Sequence, residues 1–203
     1  MIEAPPMTKS RVSIVGSTMV AALAGVWCAG CPQMAIVTGA TAVAGAAADD
    51  RTLEQQAADL ELKTGIEKAL LTGSSTLAPQ VNVDVYLGRV MLTGVVADWD
   101  ARRQAVEIAR QAAPGNEIFD DIEVATGSGI ADSATNFATN KELGLNLLAD
   151  EGLASQSFQH RVVNGTAFIM GQAKQESQIE TARQVAMQTP GVTRVVTHIL
   201  LRP

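Results

Sequence analysis

Residues 81–86 alternate strictly, with Val81, Val83 and Val85 separated by Asn82, Asp84 and Tyr86. That period of two predicts a half-buried strand. Before it, Leu62, Ile66, Ala69 and Leu70 fall on one face at helical spacing while Glu61, Lys63, Glu67 and Lys68 face water. The spacing predicts a helix over about residues 52–71, stopped by Thr72-Gly73-Ser74-Ser75. Leu87-Gly88 turns the chain into a second strand, Val90 to Val95. Asp98 then stands as an N-cap, its carboxylate free to accept from the amides of a first turn. Ala101, Ala105, Ile108, Ala109 and Ala112 make the inner face of that helix, and Pro114-Gly115 ends it. Trp99, beside the cap, is expected to staple the helix end to the sheet. Ile118 to Val124 is the third strand.

The same pattern is then written a second time. Gly88 and Gly94 bracket one apolar strand and Gly165 and Gly171 another, at a constant offset of 77 residues. Ile66 and Leu70 map onto Leu143 and Leu147, and Ala105, Ile108 and Ala109 onto Ala182, Val185 and Ala186. An offset kept through helix, turn, strand and helix means one folding unit used twice. The second copy has helices over about 134–149 and 174–188, a hairpin at Asn164-Gly165 and a last strand from Val192 to Leu201. Asn-Gly is the strongest short hairpin signal, because both positions tolerate positive φ. Each unit reads α-β-β-α-β, so the fold class is α+β: two tandem units, each a three-stranded mixed sheet covered by two helices. The expected boundaries are residues 52–127 and 128–203, joined by the polar loop Thr126 to Ser133.

Composition narrows the function. At 47% hydrophobic and 18% charged the 203-residue chain is globular, and with 3% aromatics its core must be Val, Ile, Leu and Ala. A net charge of −6 argues against nucleic acid, which demands a basic face. The charge is uneven: residues 49–127 hold 14 acidic and 7 basic groups, residues 128–203 hold 6 of each. The first unit should repel an anionic surface and the second need not.

The N-terminal region reads as an address. After Lys9 and Arg11, Val12 to Trp27 runs without a charge and ends at Cys28-Ala29-Gly30-Cys31. A basic start, an apolar run and small residues before a cleavage point make a secretory signal over residues 1–30, whether translation begins at Met1 or Met7. Small residues before Cys31 resemble the bacterial lipobox, which directs acylation of that cysteine; Cys28 stands where the motif usually has Leu. Two other readings stay open, a Cys-x-x-Cys redox pair and an uncleaved membrane helix. The first wants a thioredoxin-like setting that is missing, and a run of about 16 residues is short for a span. Residues 31–51 are read as a Gly/Ala-rich tether.

Reactive chemistry is sparse. His160 and His198 are the two histidines, both read as ordinary strand positions. They lack the context of a triad, and their spacing is poor for a metal. Asp120 and Asp121 read as a solvated turn or edge, and no phosphate loop or cofactor motif occurs. The expectation is a non-enzyme without cofactor or metal.

The order α-β-β-α-β, the run Gly88-x-Val90-x-Leu92-x-Gly94 and the Pro-Gly step into each last strand resemble the BON domain. Two such units behind a lipobox resemble the dual-BON-domain outer-membrane lipoproteins of Gram-negative bacteria, over residues 31–203. Thr166, Phe168 and Met170 loosen the pattern in the second copy. The resemblance implies a lipoprotein anchored through Cys31, facing the periplasm and supporting envelope integrity. It also implies that the second unit binds anionic phospholipid through its first helix, where Phe137 matches the family's aromatic, with Asn140 and Lys141 beside it. A ring next to a Lys can enter a headgroup layer and pair with phosphate. The competing reading packs Phe137 on the sheet and leaves Lys141 as a solvated charge. Two other functions stay open: an adaptor that docks an envelope assembly machine by a sheet edge or its acidic unit, and a soluble periplasmic protein of osmotic stress.

Overall fold

The structure, a computed structural model, describes residues 51–125, 133–153 and 158–202. Cys28, Cys31, the apolar run and the tether lie outside the described residues. The element order is α1 (Leu53–Gly73), β1 (Val81–Tyr86), β2 (Arg89–Val96), α2 (Trp99–Ala112), β3 (Ile118–Val124), α3 (Ser133–Ala149), β4 (Phe158–Val163), β5 (Thr166–Ala173), α4 (Glu176–Gln188) and β6 (Arg194–Leu201). Two three-stranded sheets result, ordered β1-β2-β3 and β4-β5-β6. In each, a hairpin supplies an antiparallel pair and a helical crossover a parallel one. The α-β-β-α-β plan and the mixed sheets are those read from the sequence.

Local chemistry sets the ends. Thr52 and Gln55 form a capping box at the start of α1, satisfying two amide donors reciprocally. Asp98 Oδ1 accepts from the Ala101 amide at 2.8 Å, which starts α2. Both hairpins are two-residue turns with positive φ at both positions: Asn164 and Gly165 in the second unit, Leu87 and Gly88 in the first. Leucine at φ 51° is strained, and a buried carboxylate holds it there. Asp59 of α1 accepts from the Leu87 and Gly88 amides, each at 2.8 Å, and pairs with Arg51 at 2.8 Å. Asn136 of α3, 77 residues on, accepts from the Asn164 amide at 3.0 Å, so the helix-to-turn clamp is itself duplicated.

Each unit buries its own core between helices and sheet. Ile66, Leu70, Val83, Leu92, Ala105, Ala109 and Ile122 pack the first. Leu143, Leu147, Ala167, Ile169, Ala182 and Ala186 pack the second. His160 takes the place of Val83 in the repeat and lies against Gly144 of α3, where any side chain would collide with its ring.

A third cluster corrects the expectation of half-buried strands. Tyr86 and Met91 of the first sheet pack on Val163, Phe168 and Met170 of the second, with Phe119 and Val196 beside them. From Val83 to Tyr86, β1 is therefore covered on both faces, and even Asp84 is only 4% exposed, while Asn82 stays exposed as expected. Asp84 and Tyr86 alternate onto the face that reads as solvent-facing, and the second half of the chain covers them there. Trp99 also departs from expectation: it is 62% exposed, with the Arg102 guanidinium 5.4 Å above its ring, and does not staple helix to sheet. Asp120 lies exposed on the edge strand β3, as read, though ion-paired, while Asp121 is drawn into the junction. Arg102 pairs with Asp120 at 3.0 Å, and Asp121 meets His198 at 2.7 Å.

Candidate functional site

The junction of the two units carries most of the cross-connecting charge. Arg161 of β4 grips Asp84 of β1 with two guanidinium nitrogens, Nη2 to Oδ1 at 2.8 Å and Nε to Oδ2 at 3.1 Å, and Lys63 approaches the same carboxylate at 3.5 Å. His198 stacks on Phe119 with ring centroids 3.9 Å apart, and Arg89 lies over the far side of that ring while donating to the His198 carbonyl at 2.8 Å. These groups are paired with one another and so are spent on holding the units together. They leave no poised nucleophile or base. Among the described residues no group of three or more His, Cys, Asp or Glu could hold a metal.

The outward face of α3 is different. Leu143 and Leu147 point into the core, Asn146 donates to Thr189 at 3.1 Å, and Asn136 holds the β4–β5 turn. With that face fixed, the opposite one is fixed too. Phe137, Lys141, Leu145 and Leu148 recur at steps of four, four and three, which puts them on one stripe of the helix. Phe137 is 72% exposed, Leu145 57% and Leu148 56%. The reading in which Phe137 packs on the sheet is therefore excluded. Lys141 is exposed in the middle of the stripe. Asn140 is half-buried with its side-chain oxygen turned inward and unbonded, so it sits at the stripe's margin. Leu145 and Leu148 extend the site beyond Phe137, Asn140 and Lys141, and their helical spacing from Phe137 is the sequence signal that marks them.

Beside Phe137 a cleft of about 490 Å³ runs between the units, lined by Gln80 and Asn82 from the first and Asn140 and Arg161 from the second. The stripe has a counterpart 77 residues earlier, where Leu60, Thr64, Lys68 and Leu71 occupy the same positions of α1. Leu60 and Leu71 are exposed there as well, but Glu61 and Glu67 flank them. No helix among the described residues is long and apolar enough to cross a membrane.

Comparison with known proteins gives the following. The model of the BON domain matches residues 58–126 and again 139–203. An uncharacterised protein in the gshII 5′ region of Anaplasma centrale is 25% identical over 123 residues, covering 60% of this chain and 82% of its own. The outer membrane lipoprotein DolP of Haemophilus influenzae is 26% identical over 163 residues, 80% of this chain and 84% of that protein. A 21 kDa hemolysin of Actinobacillus pleuropneumoniae is 26% identical over 158 residues, 75% of this chain and 74% of that protein.

Proposed function

The chain belongs to the BON-domain family, and from that premise we propose that it is an outer-membrane lipoprotein facing the periplasm, whose second BON domain binds anionic phospholipid. BON domains are non-catalytic, and the chain is not an enzyme. Its work is done by surfaces. The relation to an outer membrane lipoprotein over four-fifths of the chain supports the compartment, and Cys31 is the residue proposed to carry the acyl anchor.

The observation that carries the lipid reading is the exposed Phe137–Lys141–Leu145–Leu148 stripe on α3. Such a face loses contact with water on entering the headgroup layer, at roughly 25 cal/mol per Å² of apolar surface covered. One cation near an anionic surface adds about 1 kcal/mol. These terms make a weak, reversible contact. Residence must come from the anchor, since one acyl chain alone holds only marginally and two hold stably. The anchor keeps the protein at the membrane, and α3 then senses its charge.

Flotation with phosphatidylglycerol and with phosphatidylcholine vesicles tests the reading, using protein that lacks residues 1–31. Preferential recovery with phosphatidylglycerol is expected, and equal recovery with both refutes it. Mass spectrometry of the mature N-terminus tests the anchor: an acylated Cys31 is expected, and an unmodified start elsewhere refutes it. The exposed Leu60 and Leu71, set in the acidic first half, favour a second reading, an adaptor for an envelope protein. Cross-linking of one stoichiometric protein partner with no lipid preference selects it.

A further inference from the structure

The two halves leave unequal surfaces at equivalent places. Glu123 of β3 spends its carboxylate across the junction, accepting from Asn164 Nδ2 at 3.0 Å, Arg194 Nη2 at 3.1 Å and Thr166 Oγ1 at 3.3 Å. The residue 77 positions on is Leu200, which can make none of these bonds. With Leu201 it walls an open groove of about 630 Å³, closed on its other sides by Ala58 and Leu62 of α1 and by Leu87 of the first hairpin. That volume is in the range of small-molecule sites, roughly 300–1,000 Å³.

Several of the groove's polar groups are already engaged by the protein. Gln55 accepts from the Thr52 amide at 2.8 Å. Asp59 is taken by Leu87, Gly88 and Arg51. The Asn116 amide donates to the Gly88 carbonyl at 2.7 Å. An occupant lying along the groove finds alkyl contact there and little hydrogen bonding. The walls are mainly alkyl, and a hydrocarbon chain lying along them has no polar groups of its own to strand. Arg202 also lines the groove, the one cation among its described lining residues. It gives one of its five N–H donors to Gln172 at 3.2 Å and keeps others for an anion.

We propose that this groove binds a long-chain fatty acid, its alkyl chain against Leu62, Leu87 and Leu200 and its carboxylate at Arg202. This site lies on the first BON domain and the final strand, and it does not depend on the α3 surface. The test is fluorescence titration of the full chain with cis-parinaric acid below its micelle concentration. Saturable binding of one probe per chain is expected. Leu200→Glu, which installs the residue the first half carries, and Ala58→Phe, which fills the groove without adding charge, should each weaken it by about tenfold or more, a factor that corresponds to ~1.4 kcal/mol. Arg202→Ala should weaken it severalfold, and Phe137→Ala should leave it unchanged. Circular dichroism melts establish that each variant is folded. No saturable binding by the parent chain overturns the proposal. So does full binding by a folded Leu200→Glu or Ala58→Phe chain, or loss of binding in Phe137→Ala.

Discussion

His198 Nε2 lies 2.7 Å from Asp121 Oδ2, and the two residues are 77 positions apart, the offset of the repeat itself. Asp84 and Arg161, a second ion pair across the junction, have the same separation. Each is a contact between a position and its own copy. Contact of a site with its own equivalent is what a two-fold relation produces. In two identical chains such a site would set Asp against Asp or Arg against Arg. A tandem chain can let the copies diverge, and here they have diverged to complementary partners.

Breaking the better of these pairs should loosen the junction. Asp84→Ala leaves the Arg161 guanidinium half-buried with its main partner gone, and should cost about 2–4 kcal/mol. Chemical denaturation measures it. A charge-reversed chain, Asp84→Arg with Arg161→Asp, should recover part of the loss, and a double-mutant cycle isolates the coupling.

Leu87 is the wrong residue for its backbone. Replacing it with Asn, which the second hairpin carries at the same place, relieves a leucine at φ 51°. Leu87→Asn should stabilise the protein by about 1 kcal/mol, against a small loss of apolar packing. A thermal melt that moves upward by a few degrees is the expected result.

His160 makes stability fall in acid. Burial on the core face of β4, first among the causes, holds its pKa below the usual 6.5, and the Arg161 charge pushes the same way. The native state therefore binds fewer protons than the unfolded chain once the pH drops below about 6.5. Its contribution is complete above that value and is lost as the pH falls toward the lowered native pKa. His160→Phe should flatten this part of the stability profile between pH 7 and 5, while leaving the steeper carboxylate-driven loss at lower pH.

On α3, apolar and charged contributions to membrane contact should separate. Phe137→Ala should reduce recovery with anionic vesicles at every salt concentration. Lys141→Glu should reduce it chiefly at low salt, because screening shortens the reach of that charge to ~8 Å at physiological ionic strength. Circular dichroism of both variants should match the parent, since neither side chain is part of the core.

The amino-acid sequence by itself determined the repeated α-β-β-α-β order, the inner faces of the helices and the turns. Those features follow from periods of two and 3.6 and from Gly, Pro and Asn, all of which act within a few residues. Phe137 and Lys141 came into view through the resemblance to the BON family, which points to the first helix of the second unit; local pattern adds only that a ring and a cation four residues apart share a helix face. Tertiary structure decided the rest. Asp84, Asp121, Arg161 and His198 look like solvent-facing strand residues until two sheets meet and supply partners 77 residues away. The same meeting left Leu200 in an open groove while its counterpart Glu123 was tied down. No local spacing encodes such pairings, because a strand's second face is polar for water or for a partner with the same residues, and only packing chooses.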